Sequence, residues 1–297
     1  MSRRRWRNAE ARAALLFLAP GLFVVTFFFL IPVAGAFLLA FTDLDIYALA
    51  DPRNVRIVGL ENFTRLLHDR VFWIALRNTL FYVLVGGPLT VLVSLGAALL
   101  VDAKTARWKG FFRTVYFAPF VTTLVAVATV FRFLYHPRFG LVNQFLHVFH
   151  VPTIDWLGDP RWAMPAIVIL AVWKNFGYNM IVFIAGLQSV PESLYEAARL
   201  DGAGAVRRFR HLTVPMIAPT FLFVGVITMI NYFQLFAEPY VMTRGGPLNA
   251  TLSMALFMYQ QGFRWWNMGY SAAIAFLLFL LILAATLLQL FLQRRRA

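Results

Sequence analysis

The chain has no cysteine, few charges and no phosphate-cradling glycine loop, and each absence removes a class of answers. Zero Cys in 297 residues excludes disulfides and thiolate metal sites. The five His stand singly, without the i, i+4 pairing of a helical ligand set, so no metal site is expected. No G-x-x-x-x-G-K-[ST] stretch occurs, and the chain therefore has no P-loop for ATP. No nucleophile–base set is apparent either, so no catalytic residue is expected and the reading is not an enzyme. Acidic residues are the scarcest charge, 13 Asp and Glu against 27 Lys and Arg, a formal +14. In a soluble protein that excess would suggest nucleic acid.

What is present rules that out. Apolar residues make up 61% of the chain, Phe alone numbers 31, charged residues are 13%, and mean hydropathy is +0.70. So much apolar surface places the chain in a membrane, with lipid around it, and turns the positive charge into loop anchoring. The run from Ala13 to Phe41 is far longer than the roughly 7 to 15 apolar residues of a signal peptide, so it reads as an uncleaved first span, with Pro20 near its start and Pro32 a late kink. Six spans are expected, at about 13–41, 71–101, 114–135, 164–187, 216–237 and 269–292, between a basic segment 1–12 and a tail 293–297. The second is interrupted at Gly86-Gly87-Pro88. Segments 42–70, 136–163 and 238–268 read as external loops.

Six spans put both termini on one side, and the Lys/Arg distribution says which. With the amino terminus inside, inner segments hold sixteen basic residues (Arg3 to Arg12, Lys104 to Arg113, Arg199 to Arg210, Arg294 to Arg296) and outer loops hold eight. Basic residues near span ends stay in the cytoplasm, so both termini are assigned there.

The polar insert Ser189 to Pro219 has its own pattern. Ser189-Val190-Pro191-Glu192 has the spacing of a capping box with Pro in the first turn, which predicts a short helix starting there. Leu194, Ala197, Ala198 and Asp201 fall on one stripe with little side-chain bulk, and Gly202 and Gly204 end the helix. A second helix then carries Arg207, Arg208 and Arg210 up to Pro215. Glu196-Ala197-Ala198, three residues, Gly202, nine residues, then Leu212-Thr213-Val214-Pro215 resembles the EAA motif of binding-protein-dependent ABC importer permeases, with Leu212 and Val214 where Ile and Leu are usual. The resemblance implies an all-α polytopic fold of the type I importer class. It makes 189–215 a cytoplasmic coupling loop whose Glu196, Ala197, Ala198, Asp201 and Gly202 meet an ATPase.

Gly59-Leu60-Glu61-Asn62-Phe63, Asn78-Thr79-Leu80, Trp173-Lys174 with Gly177-Tyr178, and Thr243-Arg244-Gly245-Gly246-Pro247 with Thr251 are similar to the carbohydrate permeases of the maltose and glycerol-phosphate group, first of the permease pair. That likeness implies a sister permease, two ATPase subunits that hold ATP and Mg while this chain holds no cofactor, an extracytoplasmic sugar-binding protein, and the inner membrane of a prokaryote. It implies a sugar or oligosaccharide as solute, with glycerol phosphate as the alternative. A secondary transporter would show two related halves, and none is visible.

Polar residues inside spans point to the solute. Arg77 and Arg132 lie near span ends, where long side chains snorkel. Lys174 sits mid-span, where an ammonium facing lipid costs about 2.5 to 3.5 kcal/mol, so it must meet a partner or a wet cavity. Asn175 and Tyr178 lie close to it. On the fifth span Thr228, Asn231, Tyr232 and Leu235 follow i, i+3, i+4, i+7 spacing, a stripe suited to sugar stacking and hydroxyl exchange, or to packing against a sister helix.

Overall fold

The computed structural model describes the backbone of residues 2–103 and 107–294, and the side chains of all of these except 2–12, 49, 50, 52, 293 and 294. The side chains of the amino-terminal arginines, Lys104 and Arg294 to Arg296, on which the charge argument leans, lie outside the described residues. Among the described residues the regular structure is helical apart from one isolated antiparallel bridge between Thr42 and Ile57. Five helices are long and apolar enough to cross a membrane: Ala13–Leu39, Arg70–Asp102, Pro160–Gln188, Ala218–Met242 and Met268–Leu292.

A sixth crossing requires two helices together, Lys109–Val121 and Leu124–Leu134, which meet at 96°. One continuous span was expected over 114–135. It breaks because Thr122 (ψ 149°) and Thr123 (ψ 134°) are both extended, and the Thr122 hydroxyl donates to the Pro119 carbonyl at 2.6 Å. By contrast, the expected interruption at Gly86-Gly87-Pro88 leaves Arg70–Asp102 helical throughout.

Three other prolines are accommodated by widened helical turns. Proline lacks an N–H and its ring crowds the carbonyl four residues back. Three π-helical turns, Thr26–Leu30, Tyr82–Gly86 and Phe209–Thr213, each stand two residues before a proline: Pro32, Pro88 and Pro215. At the first and third, the residue between turn and proline donates five residues back, Ile31 to the Thr26 carbonyl and Val214 to that of Phe209. The wider turn absorbs the steric conflict without ending the helix.

The residues form two compact units, Met1–His68 with Met258–Leu277, and Asp69–Phe257 with Leu278–Ala297. In the first, Asn62 is buried and donates to the carbonyls of Ala40 (2.9 Å) and Thr42 (2.8 Å), which fixes the end of the first span. Phe63 packs between Phe41 and Phe276, the Arg65 guanidinium lies 4.5 Å over the Tyr270 ring, and Gly269 lets the last helix touch the Thr42 carbonyl, where any Cβ would collide. The Glu61-Asn62-Phe63 signature therefore has a structural job.

In the second unit Pro160–Gln188 is the central helix, packed on Gly87–Asp102 and Lys109–Val121. Leu95, Ala98, Val101, Met180, Phe183, Ile184 and Val224 make its core. Two sequence signatures far apart in the chain meet here. The Asn78 amide donates to the carbonyls of Asn249 (2.8 Å) and Leu252 (2.9 Å), and the Thr79 hydroxyl accepts from Met254 N–H at 2.9 Å. Thr251 in turn donates to the Gly246 carbonyl at 2.7 Å, so Asn78-Thr79 clamps the loop that bears Thr243 to Pro247.

Candidate functional site

Two places in the second unit carry the residues singled out by sequence. The first is the turn after the central helix. Ser189 does not start the next helix as expected; its N–H closes the preceding one and its hydroxyl donates to the Gly186 carbonyl at 2.7 Å. The reason is Val190, which is buried in the core and pulls the chain in before the polar helix begins. Pro191 takes the N-cap position without a side-chain bond, and the helix runs Glu192–Leu200.

Its end is a Schellman turn. Gly202 N–H donates to the Arg199 carbonyl (3.0 Å) and Ala203 N–H to that of Ala198 (2.9 Å), with Gly202 at φ +73°, a conformation glycine adopts without a Cβ penalty. Arg208 secures the turn by donating to the Ala203 carbonyl at 2.6 Å, and Tyr195 shares a hydrogen bond with Thr213 at 2.9 Å. Glu196, Ala197, Asp201 and Gly202 are exposed and Ala198 half-buried. Leu200 (90% exposed) and Val206 (80%) stand out beside them, an apolar knob carried on a fixed turn.

The second place is a buried polar cluster at mid-span. Lys174 is buried, and its ammonium donates to the carbonyls of Pro119 (3.1 Å), Phe120 (3.2 Å) and Thr122 (2.8 Å). Asn175 donates to the Ala171 carbonyl at 2.9 Å and lies near Tyr232. Tyr232 bonds Thr90 and stacks on Tyr82 with ring centroids 4.6 Å apart. Asn179 donates to Thr228 at 2.9 Å, and Tyr178 stacks on Phe120 at 4.7 Å. The expected stripe on the fifth span thus divides: Thr228, Tyr232 and Leu235 are buried, while Asn231 is exposed.

Sequence reasoning missed Glu238, assigned to an external loop. It lies in the helix Ala237–Met242 within the candidate span Ala218–Met242 and is buried, with Tyr82 and the opposite charge of Lys174 nearby. The helix break at Gln234 hid it, because a break before an acidic residue reads as a span end. Tyr82, Thr90 and Ser94 were missed as well. A signal existed: Asn78, Tyr82, Gly86, Thr90 and Ser94 recur at i, i+4, one stripe of polar, aromatic and small residues along the second span. Gly86 belongs to it because a Cβ there would come within 2.6 Å of the Tyr232 ring.

Residues 103–297 match the family model for the binding-protein-dependent transport system inner membrane component. The chain is 36% identical to the probable ABC transporter permease protein YurN of Bacillus subtilis (strain 168), over 92% of this chain and 93% of that one. It is 35% identical to the lactose transport system permease protein LacF of Rhizobium radiobacter, over 95% and 94%. A permease-fold chain in the crystal structure of a bacterial alginate ABC transporter, in complex with alginate pentasaccharide-bound periplasmic protein, superimposes with a TM-score of 0.80 at 22% identity, covering 98% of each. The helical fold and the family match over 103–297, which includes the exposed glycine turn, identify this chain as a member of the inner membrane component family of binding-protein-dependent transport, the permeases of ABC importers.

Proposed function

We propose that the chain imports a saccharide, as one of two unlike permeases driven by a separate pair of ATPase subunits. The exposed, rigidly terminated turn around Gly202 carries this reading. A coupling element has to transmit force, and the Schellman turn, the Arg208 bond and the Tyr195–Thr213 bond make the turn stiff, while Leu200 and Val206 give a partner something apolar to hold. Glu196, Ala197, Ala198, Asp201 and Gly202 form the docking surface, ATP and Mg belong to the ATPases, and both termini lie in the cytoplasm with this turn, as the basic-residue distribution supports.

Lactose and arabinooligosaccharide appear in the names of relatives, and an alginate pentasaccharide-bound periplasmic protein accompanies the alginate transporter. These support a saccharide solute delivered by a binding protein. The solute path runs past Asn175, Tyr178 and Asn231, with Thr228, Tyr232 and Leu235 as the wall behind. Lys174 gives its protons to backbone and Glu238 stands close, so the path favours an uncharged saccharide over glycerol phosphate or an acidic glycan.

The test is Gly202→Asp in the reconstituted transporter. Nothing lies within 4 Å of a Cβ there, so the permease folds and assembles, but a charge enters the docking face at a strained φ. Binding-protein-dependent uptake and stimulated ATP hydrolysis are expected to be lost at normal permease yield. Uptake at the wild-type rate removes the coupling assignment.

A further inference from the structure

We propose that the segment Trp173 to Tyr178 is a brace that fixes the right-angled break in the third crossing, with Lys174 as the positioning residue that holds the joint and not a solute ligand. The helix Lys109–Val121 ends within that crossing, and the last carbonyls of any helix have no N–H partner four residues on. No water is available in hydrocarbon to satisfy them, so a broken span needs donors from the protein.

Lys174 supplies them. An ammonium has three protons, and the Lys174 Nζ has three acceptors at the joint, the carbonyls of Pro119, Phe120 and Thr122. A cation is also the charge that a helix C-terminus favours. The neighbouring residues hold the two arms. Toward Lys109–Val121, Gly177 lets the backbones touch, since a Cβ there would overlap the Tyr116 carbonyl, and the Tyr178 ring stacks on Phe120. Toward Leu124–Leu134, Trp173 packs on Phe131 with centroids 5.3 Å apart. Within six residues one helix therefore grips the first arm, caps the joint and grips the second arm. The consequence reaches the polar cluster, because Leu124–Leu134 packs on the short helix Ala237–Met242 that carries Glu238. The bend thus sets where the buried carboxylate stands.

The absence of native cysteine makes the bend measurable. Spin labels on cysteines introduced at Phe111 (59% exposed) and Phe133 (64% exposed), one on each arm, report the distance across the joint in the complete transporter in lipid nanodiscs. This distance reads the bend whatever the solute proves to be. With Lys174 intact a narrow distribution is expected. Lys174→Met should broaden or shift it and lower turnover by roughly ten- to a hundredfold, the cost of misplaced groups, while the half-saturating solute concentration stays within about twofold. Lys174→Gln keeps amide protons for two of the carbonyls and should restore part of the narrow distribution and part of the turnover. If Lys174→Met does not assemble, the Gln variant carries the same reading. A disturbed distance in the variant that assembles upholds the brace. An undisturbed distance overturns it, and weakened solute affinity at an undisturbed distance makes Lys174 a solute contact instead.

Discussion

The first and fourth crossings are both uninterrupted and apolar, yet they are treated in opposite ways. Ala13–Leu39 is the more apolar and buries none of its most apolar stretch, whereas Pro160–Gln188 buries most of its own. The difference shows what hydropathy measures. It reports that a helix tolerates lipid and says nothing of what packs on it, because lipid chains compete with apolar side chains on equal terms. What draws a helix into the middle of a membrane protein is the opposite kind of residue. Lys174, Asn175 and Asn179 need partners that lipid lacks, and Gly177 and Gly186 let neighbouring elements come close enough to provide them.

Glycine substitutions break the comparison most directly. Gly177→Ala puts a methyl against the Tyr116 backbone, which has no flexible end to move, so a loss of about 1–3 kcal/mol from overpacking is the minimum expected. Gly21→Ala and Gly35→Ala in the first span meet nothing within 4 Å and should stay within about 0.5 kcal/mol. Thermal midpoints and yields of the assembled transporter compare them. Equal effects at all three positions would mean that another subunit covers the first span as tightly as this chain covers the fourth.

The same contrast explains what sequence made legible. The helical, polytopic class followed from apolar run lengths, and the family from the spacing Glu196-Ala197-Ala198 to Gly202 to Pro215. Both depend on local pattern. The right-angled break at Thr122-Thr123 did not follow, since two threonines after a proline are compatible with a straight helix until a donor elsewhere satisfies the freed carbonyls. That donor, Lys174, is more than fifty residues away in sequence. Glu238 was hidden for the same reason: its neighbour Tyr82 lies on another span, and only the i, i+4 stripe around Tyr82 hinted at it. Ser189 shows the converse error, a correct motif spacing overruled because burial of Val190 assigned the serine to the preceding helix.

A smaller effect sharpens the comparison at the carboxyl end of the first span, which Asn62 holds. Asn62→Ala leaves the carbonyls of Ala40 and Thr42 without their amide donor, and losing a buried partner costs about 1–3 kcal/mol. Because the span itself makes few contacts, the loss should appear as faster amide exchange confined to residues near 39–42 and 57–63, with the second unit unchanged. Uniformly faster exchange in both units would show that the first span is coupled more widely than its exposure suggests.

The smallest expected effect is electrostatic and belongs to the same junction. Asp43 accepts from the Arg56 backbone N–H at 2.7 Å and from its guanidinium at 3.0 Å, beside the Thr42–Ile57 bridge. The Arg56 backbone hydrogen bond first, and then its charge, hold the Asp43 carboxyl below the ordinary carboxylate value. A carboxylate with a depressed folded value contributes stability above its unfolded value, near about 3.9, and loses it as pH falls through the folded value. Arg56 is solvent-exposed and Asp43 half-buried, so the contribution is small and salt should weaken it further. Exchange of the Val58 amide, which donates to the Phe41 carbonyl across this junction, is the local reporter. Protection, corrected for intrinsic rates, should be flat from pH 6 to about 4 and decline below it, while Asp43→Asn should be less protected at pH 6 and lack the decline. The same slope in both proteins would assign the acid sensitivity to another group and leave the junction held by Asn62 and the backbone pairing alone.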